Sequence, residues 1–193
     1  LSRHSGAKVV WRPENLGGDR IASEAVLLHT LEVLRESEGY VPDLLVFLQC
    51  TSPLTTAADI DGTIQVLLDS EADTAFCVTP FHHFIWTADD GEEAKGVNHD
   101  PGERLPRQEL KRQQYLETGS VYVMRTAGFL RHRHRFFGRT VLFPVSRNRC
   151  IEIDEPIDVV VAEALLYHED LQSRACSLPV SMEAVVCDFD GVL

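Results

Sequence analysis

Two short apolar segments separated by an amphipathic one constrain the fold of this chain more than any other feature. Residues 44–49, LLVFLQ, form a continuous apolar run bounded by turns, which is typical of a central strand covered on both faces. Apolar residues then recur at helical spacing over 55–70, and a second strand-like run, TAFCV, follows at 74–78. A strand, a helix and a strand in this order predict a parallel sheet with helical crossovers, and therefore an α/β fold.

The rest of the chain continues this alternation. The opening residues 1–13 predict the end of a helix, a glycine stop and a short strand, as if other residues preceded them. Asp19 is the predicted cap of the next helix, and the acidic, glycine-containing segment 87–103 predicts a solvated loop or hairpin tip. Further elements are predicted at 19–39 and 155–171 (helices), and at 120–124 and 140–145 (strands).

Composition indicates which classes of partner and which cellular compartment suit this chain. Eighteen Lys and Arg residues against thirty Asp and Glu residues give a net charge of -12, which opposes attraction to nucleic acid or to an anionic membrane. The five cysteines are scattered and form no Cys-x-x-Cys pair, which favours reduced, mostly buried thiols over disulfides or a zinc site. No apolar run approaches the length of a membrane span, so we expect a soluble, cytoplasmic protein.

Polar residues that directly follow strands are the first candidates for a site, because ligands bind beyond the carboxyl ends of strands in open α/β sheets. Gln49, Thr51 and Ser52 leave the strand 44–49 just before Pro53. Turn chemistry and a ligand role are both open for Thr51 and Ser52, whereas Gln49 still belongs to the strand and is harder to explain as a turn residue.

A second candidate is the segment IEID at 151–154. Side chains of an extended segment alternate between its faces, so Glu152 and Asp154 are expected to project together. Two carboxylates on one face can hold Mg²⁺, which keeps several waters and takes its remaining ligands from substrate phosphates. An exposed acidic strand end is the alternative interpretation.

Two further segments carry polar or aromatic candidates. In ETGSVYV, Glu117 and Tyr122 are possible lining of a polar site, with core packing as the alternative for Tyr122. The segment RHRHRFFGR at 131–139 mixes basic and aromatic residues, but one such run on an acidic chain is weak support for nucleic-acid binding. Phe136 and Phe137 are more consistent with burial against a partner or against the core.

Together these segments resemble a known family. The motifs RPENLGGDRIAS, FLQCTSPL, PRQ, ETGSVYV and IEIDEPID occur in the order and approximate spacing of the acylneuraminate cytidylyltransferases, and the resemblance covers residues 6–170. It implies a Rossmann-type nucleotidyltransferase fold with a mostly parallel sheet and a dimerisation extension. It further implies Mg²⁺ as cofactor, CTP and an acidic nine-carbon sugar as substrates, transfer of CMP with release of pyrophosphate, and a homodimer.

The resemblance also implies roles for individual residues. It assigns Arg12 and Ser23 to the nucleotide, and Glu152 and Asp154 to the metal, with Asp154 also catalytic. Arg107 is the implied partner of the acidic sugar and the other catalytic residue. The remaining implied sugar-binding residues are Gln49, Tyr122, Phe136 and Phe137, the Phe pair coming from the second subunit.

This chain departs from the family at three places. Glu152 stands where the family has Asp, and Thr118 stands where it usually has Asn before the glycine. The Gly-Ser-Lys loop that cradles the triphosphate in the family does not occur in the printed sequence. We therefore expect a chain that is incomplete at its start and impaired in catalysis as printed.

The last nine residues, VVCDFDGVL, resemble the first motif of haloacid-dehalogenase-like phosphatases. The resemblance implies that Asp188 is a nucleophile and Asp190 a general acid and base. The predicted organisation is a cytidylyltransferase domain at 1–171, a linker at 172–183 and the first strand of a phosphatase domain at 184–193. A sugar-acid phosphatase and a non-catalytic nucleotide-binding module are the alternative functions.

Overall fold

A five-stranded sheet organises the protein. The computed structural model describes residues 2–18, 20–91, 93–103, 113–168 and 186–188. The strands are β1 (Leu44–Gln49), β2 (Thr74–Phe81), β3 (Trp86–Thr87), β4 (Lys95–Gly96), β5 (Gln114–Arg125), β6 (Thr140–Pro144) and β7 (Val186–Asp188). The helices are α1 (Ser23–Glu38), α2 (Ala57–Asp69), α3 (Thr126–His132) and α4 (Pro156–His168).

The order of the strands across the sheet is β6-β2-β5-β1-β7. Strand β7 is parallel to β1, and β6 is parallel to β2. Strand β5 lies between β1 and β2 and runs antiparallel to both. The other four strands of this sheet therefore share one direction. This confirms the prediction of an α/β fold with a mostly parallel sheet and is compatible with a Rossmann-type architecture.

Apolar residues on the two faces of the sheet form two separate cores. On one face, residues of α1 and α3 pack against alternate residues of β1 and β5; its buried members are Leu27, Leu31, Leu45, Phe47, Tyr122, Met124, Phe129 and Phe137. On the other face, α2 packs against the intervening strand residues; its buried members are Val46, Ile60, Leu67, Ala72, Ala75, Cys77, Val121, Val123 and Val145. The continuous apolar runs of β1 and β5 are thus explained by burial on both faces.

Local signals set the helix ends. Helix α1 ends at Gly39, which has a φ of 66° and donates its backbone N–H to Arg35 O, as the sequence predicts. Helix α2 begins with a capping box, in which the side chains of Thr56 and Asp59 bond reciprocally to each other's backbone N–H. The N-cap of α1 is Ala22, and the predicted cap, Asp19, lies outside the described residues.

Several expectations about the outer segments need correction. Residues 7–13 contain no strand, although the 3-10 turn Ser2–Ser5 and Gly6, with a φ of 82°, do give the expected helix end and glycine stop. The expected hairpin within 87–103 is confirmed by the pairing of β3 with β4. Among the described cysteine side chains, Cys77 is buried as expected, but Cys50 is exposed because it leaves β1 in a turn.

Strand β7 comes from the segment predicted to begin a second domain. Its backbone pairs with β1 of the same sheet, with Gln49 opposite Asp188. Residues 169–185 and 189–193 lie outside the described residues, so the domain boundaries at 171 and 184 stay predictions. None of the helices in the described part of the chain is long and apolar enough to cross a membrane.

Candidate functional site

An irregularity in β5 lies beside the carboxyl end of β1. The pairing of β5 with β2 passes from Phe76 opposite Tyr122 to Val78 opposite Glu117, so residues 118–121 all lie opposite Cys77. Two buried side-chain hydrogen bonds stabilise the bulge: Thr118 Oγ1 donates to Cys77 O at 3.1 Å and lies 2.8 Å from Ser120 Oγ. Bulges of this kind are common next to functional sites, where they redirect side chains.

Gly119 lies within this bulge and meets the acidic segment directly. Its φ of 68° is in the left-handed region, and a Cβ atom at this position would lie 2.7 Å from Glu152 Oε1. The Glu152 carboxylate therefore packs against bare backbone of β5. Glycine satisfies both the backbone conformation and the close approach.

Backbone hydrogen bonds fix the acidic segment between β1 and α4. Ile153 N donates to Thr51 O at 2.8 Å, just beyond the end of β1, and Thr51 Oγ1 lies 3.4 Å from Glu152 Oε1. On the other side, Asp154 N donates to Asp158 Oδ2, in the first turn of α4, at 3.0 Å. The segment is irregular and not the end of a strand, but it carries both candidate metal ligands to the carboxyl edge of the sheet, as the sequence predicts.

The electrostatics of this edge favour a bound cation. Burial raises the pKa of Glu152, the negative charges of Asp154 and Glu117 raise it further, and the hydrogen bond from Thr51 opposes these effects. A divalent cation would relieve the repulsion between these carboxylates. Within the described ranges, no three His, Cys, Asp or Glu side chains converge as a ready-made metal site. A cation here would thus depend on water and substrate for its remaining ligands, as Mg²⁺ commonly does.

A buried ion pair anchors the turn that precedes the acidic segment. Arg149 donates to both carboxylate oxygens of Asp59, at 2.8 and 3.0 Å, and Asp59 is 3% exposed. Because Asp59 also belongs to the capping box of α2, one carboxylate joins the start of that helix to the segment 147–154. Neither residue is among the candidates predicted from the sequence. The Thr-x-x-Asp pattern before an apolar helix could have indicated Asp59, but no local signal indicates Arg149.

Tyr122 lies in an aromatic cluster on the face of β5 that packs against α1 and α3. Its ring is 4% exposed and stacks on Phe47 and Phe76, with centroids 5.8 and 6.1 Å away. Its hydroxyl donates to Glu117 Oε1. The guanidinium of Arg135 lies 4.7 Å from the ring centroid and forms a mostly buried ion pair with Glu24 at 2.7 Å.

Only part of the aromatic sugar pocket implied by the resemblance is assembled around Tyr122. Phe136 lies 6.1 Å from the Tyr122 ring, edge to face, and belongs to the same chain. Phe137 instead enters the core and stacks on His132, with centroids 5.2 Å apart. Its 9% exposure leaves little of the side chain for a partner subunit, although the implied role of the pair stays a prediction.

The structure gives positions for four of the remaining candidates. Gln49 is the half-buried last residue of β1, and Ser52 is 5% exposed with no hydrogen-bond partner for its Oγ among the described residues. Ser23 is the first residue of α1, and Arg12 lies in the irregular segment before that helix. Three predicted site residues have no described side chain: Arg107 and Asp190 lie outside the described residues, and Asp188 is described by its backbone alone.

Comparison with known proteins shows a distant similarity to a flagellin modification protein. No family model matches the chain. The chain is 22% identical, over 176 residues, to Post-translational flagellin modification protein B of Campylobacter coli. The alignment covers 89% of this chain and 73% of that relative, so the similarity extends over nearly all of the fold described above.

Proposed function

We propose that the protein is a sugar nucleotidyltransferase, and more specifically a cytidylyltransferase that transfers CMP from CTP to an N-acylneuraminate, an acidic nine-carbon sugar. One observation carries the proposal: the Glu152 carboxylate lies against the bare backbone of Gly119, and backbone hydrogen bonds fix the segment that carries Glu152 and Asp154 just beyond the end of β1. The sequence motifs that resemble the acylneuraminate cytidylyltransferases support it. The similarity to a Campylobacter protein named for post-translational modification of flagellin is compatible with it.

The residues at this edge fit Mg²⁺. They offer carboxylate oxygens, which this cation prefers, and the absence of a side chain at Gly119 makes room for the Glu152 carboxylate at the end of β1. Glu152 and Asp154 would hold the cation. When bound, Mg²⁺ would neutralise negative charge on the triphosphate and on the departing pyrophosphate.

In the proposed reaction, the anomeric hydroxyl of the sugar attacks the α-phosphorus of CTP. A new oxygen–phosphorus bond forms, the attacking hydroxyl loses its proton to water, the bond to the β-phosphate oxygen breaks, and pyrophosphate leaves with the electron pair of that bond. The contribution of the chain is positioning and electrostatic stabilisation and not covalent chemistry. We assign Arg12 and Ser23 to the nucleotide, Gln49 and the aromatic residues near Tyr122 to the sugar, and Arg107 to the sugar's carboxylate.

The test uses the full-length natural protein with CTP, Mg²⁺ and N-acetylneuraminate, and measures release of pyrophosphate. We expect turnover with the wild type and loss of at least about a thousandfold with Asp154→Ala, since a metal ligand is removed. Glu163→Gln in α4 is the matched control, because it removes an exposed carboxylate outside the site and should leave turnover unchanged.

An Asp154→Ala activity within about tenfold of wild type, a barrier change of about 1.4 kcal/mol, would contradict the metal assignment. An eight-carbon acid sugar without the acyl group should be a poorer substrate, and equal kcat/KM for the two sugars would contradict the assigned sugar class. The phosphatase function stays a prediction, because the structure describes only the backbone of residues 186–188 from that motif.

A further inference from the structure

Glu117 is an exposed residue whose carboxylate is hydrogen-bonded to a buried side chain. The residue lies at the solvent-facing start of the bulge in β5, and its Oε1 accepts a hydrogen bond from the buried hydroxyl of Tyr122. An exposed carboxylate normally samples many rotamers. Here the hydrogen bond restricts the carboxylate to one orientation.

The bulge that begins after Glu117 is the part of β5 that meets the acidic segment. Thr118 turns inward and is 2% exposed, and Gly119, the residue after it, touches the Glu152 carboxylate. Glu117 is thus two residues from the point at which β5 contacts a proposed metal ligand. The negative charge of Glu117 is the last and smallest of the causes that raise the pKa of Glu152, after burial and the charge of Asp154.

Tyr122 is fixed firmly enough to orient its partner. Its ring is held between Phe47 and Phe76, and the guanidinium of Arg135 lies over its face. Arg135 is in turn held by Glu24, through a contact in which both side chains are about 15% exposed or less. The hydroxyl therefore has a defined position from which to hold Glu117.

We propose that Glu117 is an outer carboxylate of the divalent-cation site, and that Tyr122 is a positioning residue that acts through it. This inference rests on the proposed metal role of Glu152 and Asp154. Glu117 does not converge with them as a third direct ligand among the described residues. Its role is to accept hydrogen bonds from waters on the cation and to add negative charge, and outer-shell partners of this kind commonly change metal affinity by about tenfold or more.

Binding of Mn²⁺ to the 193-residue chain, followed by electron paramagnetic resonance without nucleotide or sugar, tests the inference. We expect Glu117→Gln to raise the dissociation constant about tenfold. Tyr122→Phe keeps the ring and removes only the hydroxyl, so it should raise the constant about threefold. Glu36→Gln, at an exposed position of α1, is the control for loss of one negative charge and should bind like the wild type.

A double-mutant cycle separates positioning from a purely structural effect. If Tyr122 acts through Glu117, then adding Tyr122→Phe to Glu117→Gln should weaken Mn²⁺ binding no further. Additive losses would overturn the positioning role. Thermal unfolding followed by circular dichroism should show that each variant is folded at the temperature of the binding measurement.

The inference and the proposed function fail in different ways. Loss of Mn²⁺ binding in Asp154→Asn, with Glu117→Gln within about 1.5-fold of wild type, overturns the inference and leaves the metal assignment intact. Dependence of Mn²⁺ binding on Glu117, in a protein that does not transfer CMP, supports the inference and contradicts the reaction. Failure of the wild-type chain to bind Mn²⁺ at millimolar concentration overturns the inference.

Discussion

Gly119 shows how a single residue can determine whether the site forms. The bulge of β5 requires a φ of 68° at this position, and the Glu152 carboxylate occupies the volume that a side chain would fill. Any substitution therefore carries two costs: the strain of a left-handed backbone and the displacement of a proposed metal ligand.

We expect Gly119→Ala to lower the free energy of unfolding by about 1–3 kcal/mol and to weaken Mn²⁺ binding as well. Gly39→Ala is the matched control, because Gly39 has nearly the same φ, 66°, but no atom within 4 Å of the added Cβ. It should cost about 1 kcal/mol and leave Mn²⁺ binding unchanged. Urea unfolding and Mn²⁺ titration of both variants measure the two effects, and equal loss of Mn²⁺ affinity in both would refute the role assigned to Gly119.

At the scale of elements, buried ion pairs connect parts of the chain that are distant in sequence. Arg149 and Asp59 join the acidic segment to α2, and Arg135 and Glu24 join the loop after α3 to the first turn of α1. Both pairs lie near the carboxyl edge of the sheet. Each pair holds an irregular segment against a helix. Irregular segments form few backbone hydrogen bonds that could hold them in place.

The pair of Glu24 and Arg135 makes stability depend on pH in a predictable direction. Burial by itself would raise the pKa of Glu24, but the hydrogen bond and the positive charge of Arg135 outweigh burial and lower the pKa below its ordinary value of 4.5. The folded state therefore binds the proton more weakly than the unfolded state. The stabilisation is fully present above pH 4.5 and is lost as the pH falls through the lower pKa of the folded protein.

We expect Glu24→Gln to lower the free energy of unfolding by about 2 kcal/mol at pH 7, because Arg135 is left without its charged partner. The difference from wild type should shrink as the pH falls below about 4. Glu36→Gln is the control, since Glu36 is 67% exposed and lies 4.0 Å from Arg35. Urea unfolding across this pH range provides the measurement, and a pH-independent difference for Glu24→Gln would exclude the ionic explanation.

At the scale of the whole molecule, we propose that the protein acts as a homodimer, as the resemblance to the cytidylyltransferases implies. Size-exclusion chromatography with light scattering should give twice the mass of one chain for the full-length protein at about 10 µM, well above the dissociation constant of a stable dimer. A single-chain mass at that concentration would contradict the proposal and, with it, the assignment of Phe136 and Phe137 to a neighbouring subunit's site.

The central elements of the fold could be predicted from the sequence because their signals are local. The run at β1, the helical periodicity of α2 and the glycine after α1 each reflect burial or backbone conformation within one segment, and each prediction is confirmed. Strand β5 begins six residues before its predicted start at 120, since residues 115–117 are exposed and show no apolar run. In residues 7–13 the sequence predicts a strand but the chain is irregular, because a short apolar segment can lack a strand to pair with.

The chemical groups of the candidate site could be predicted from the sequence, but the contacts between them could not. The residue types of Glu152 and Asp154 lead to the prediction of a metal site, since carboxylate chemistry is a property of the segment itself, and that site stays a prediction. The contacts of Gly119 with Glu152, of Asp59 with Arg149 and of Tyr122 with Glu117 could not be predicted. The first two join segments that are 33 and 90 residues apart, and the third depends on a bulge that changes the direction of side chains within one strand. Sequence determined which chemical groups this protein carries; only the packing of strands and helices decided which of them meet.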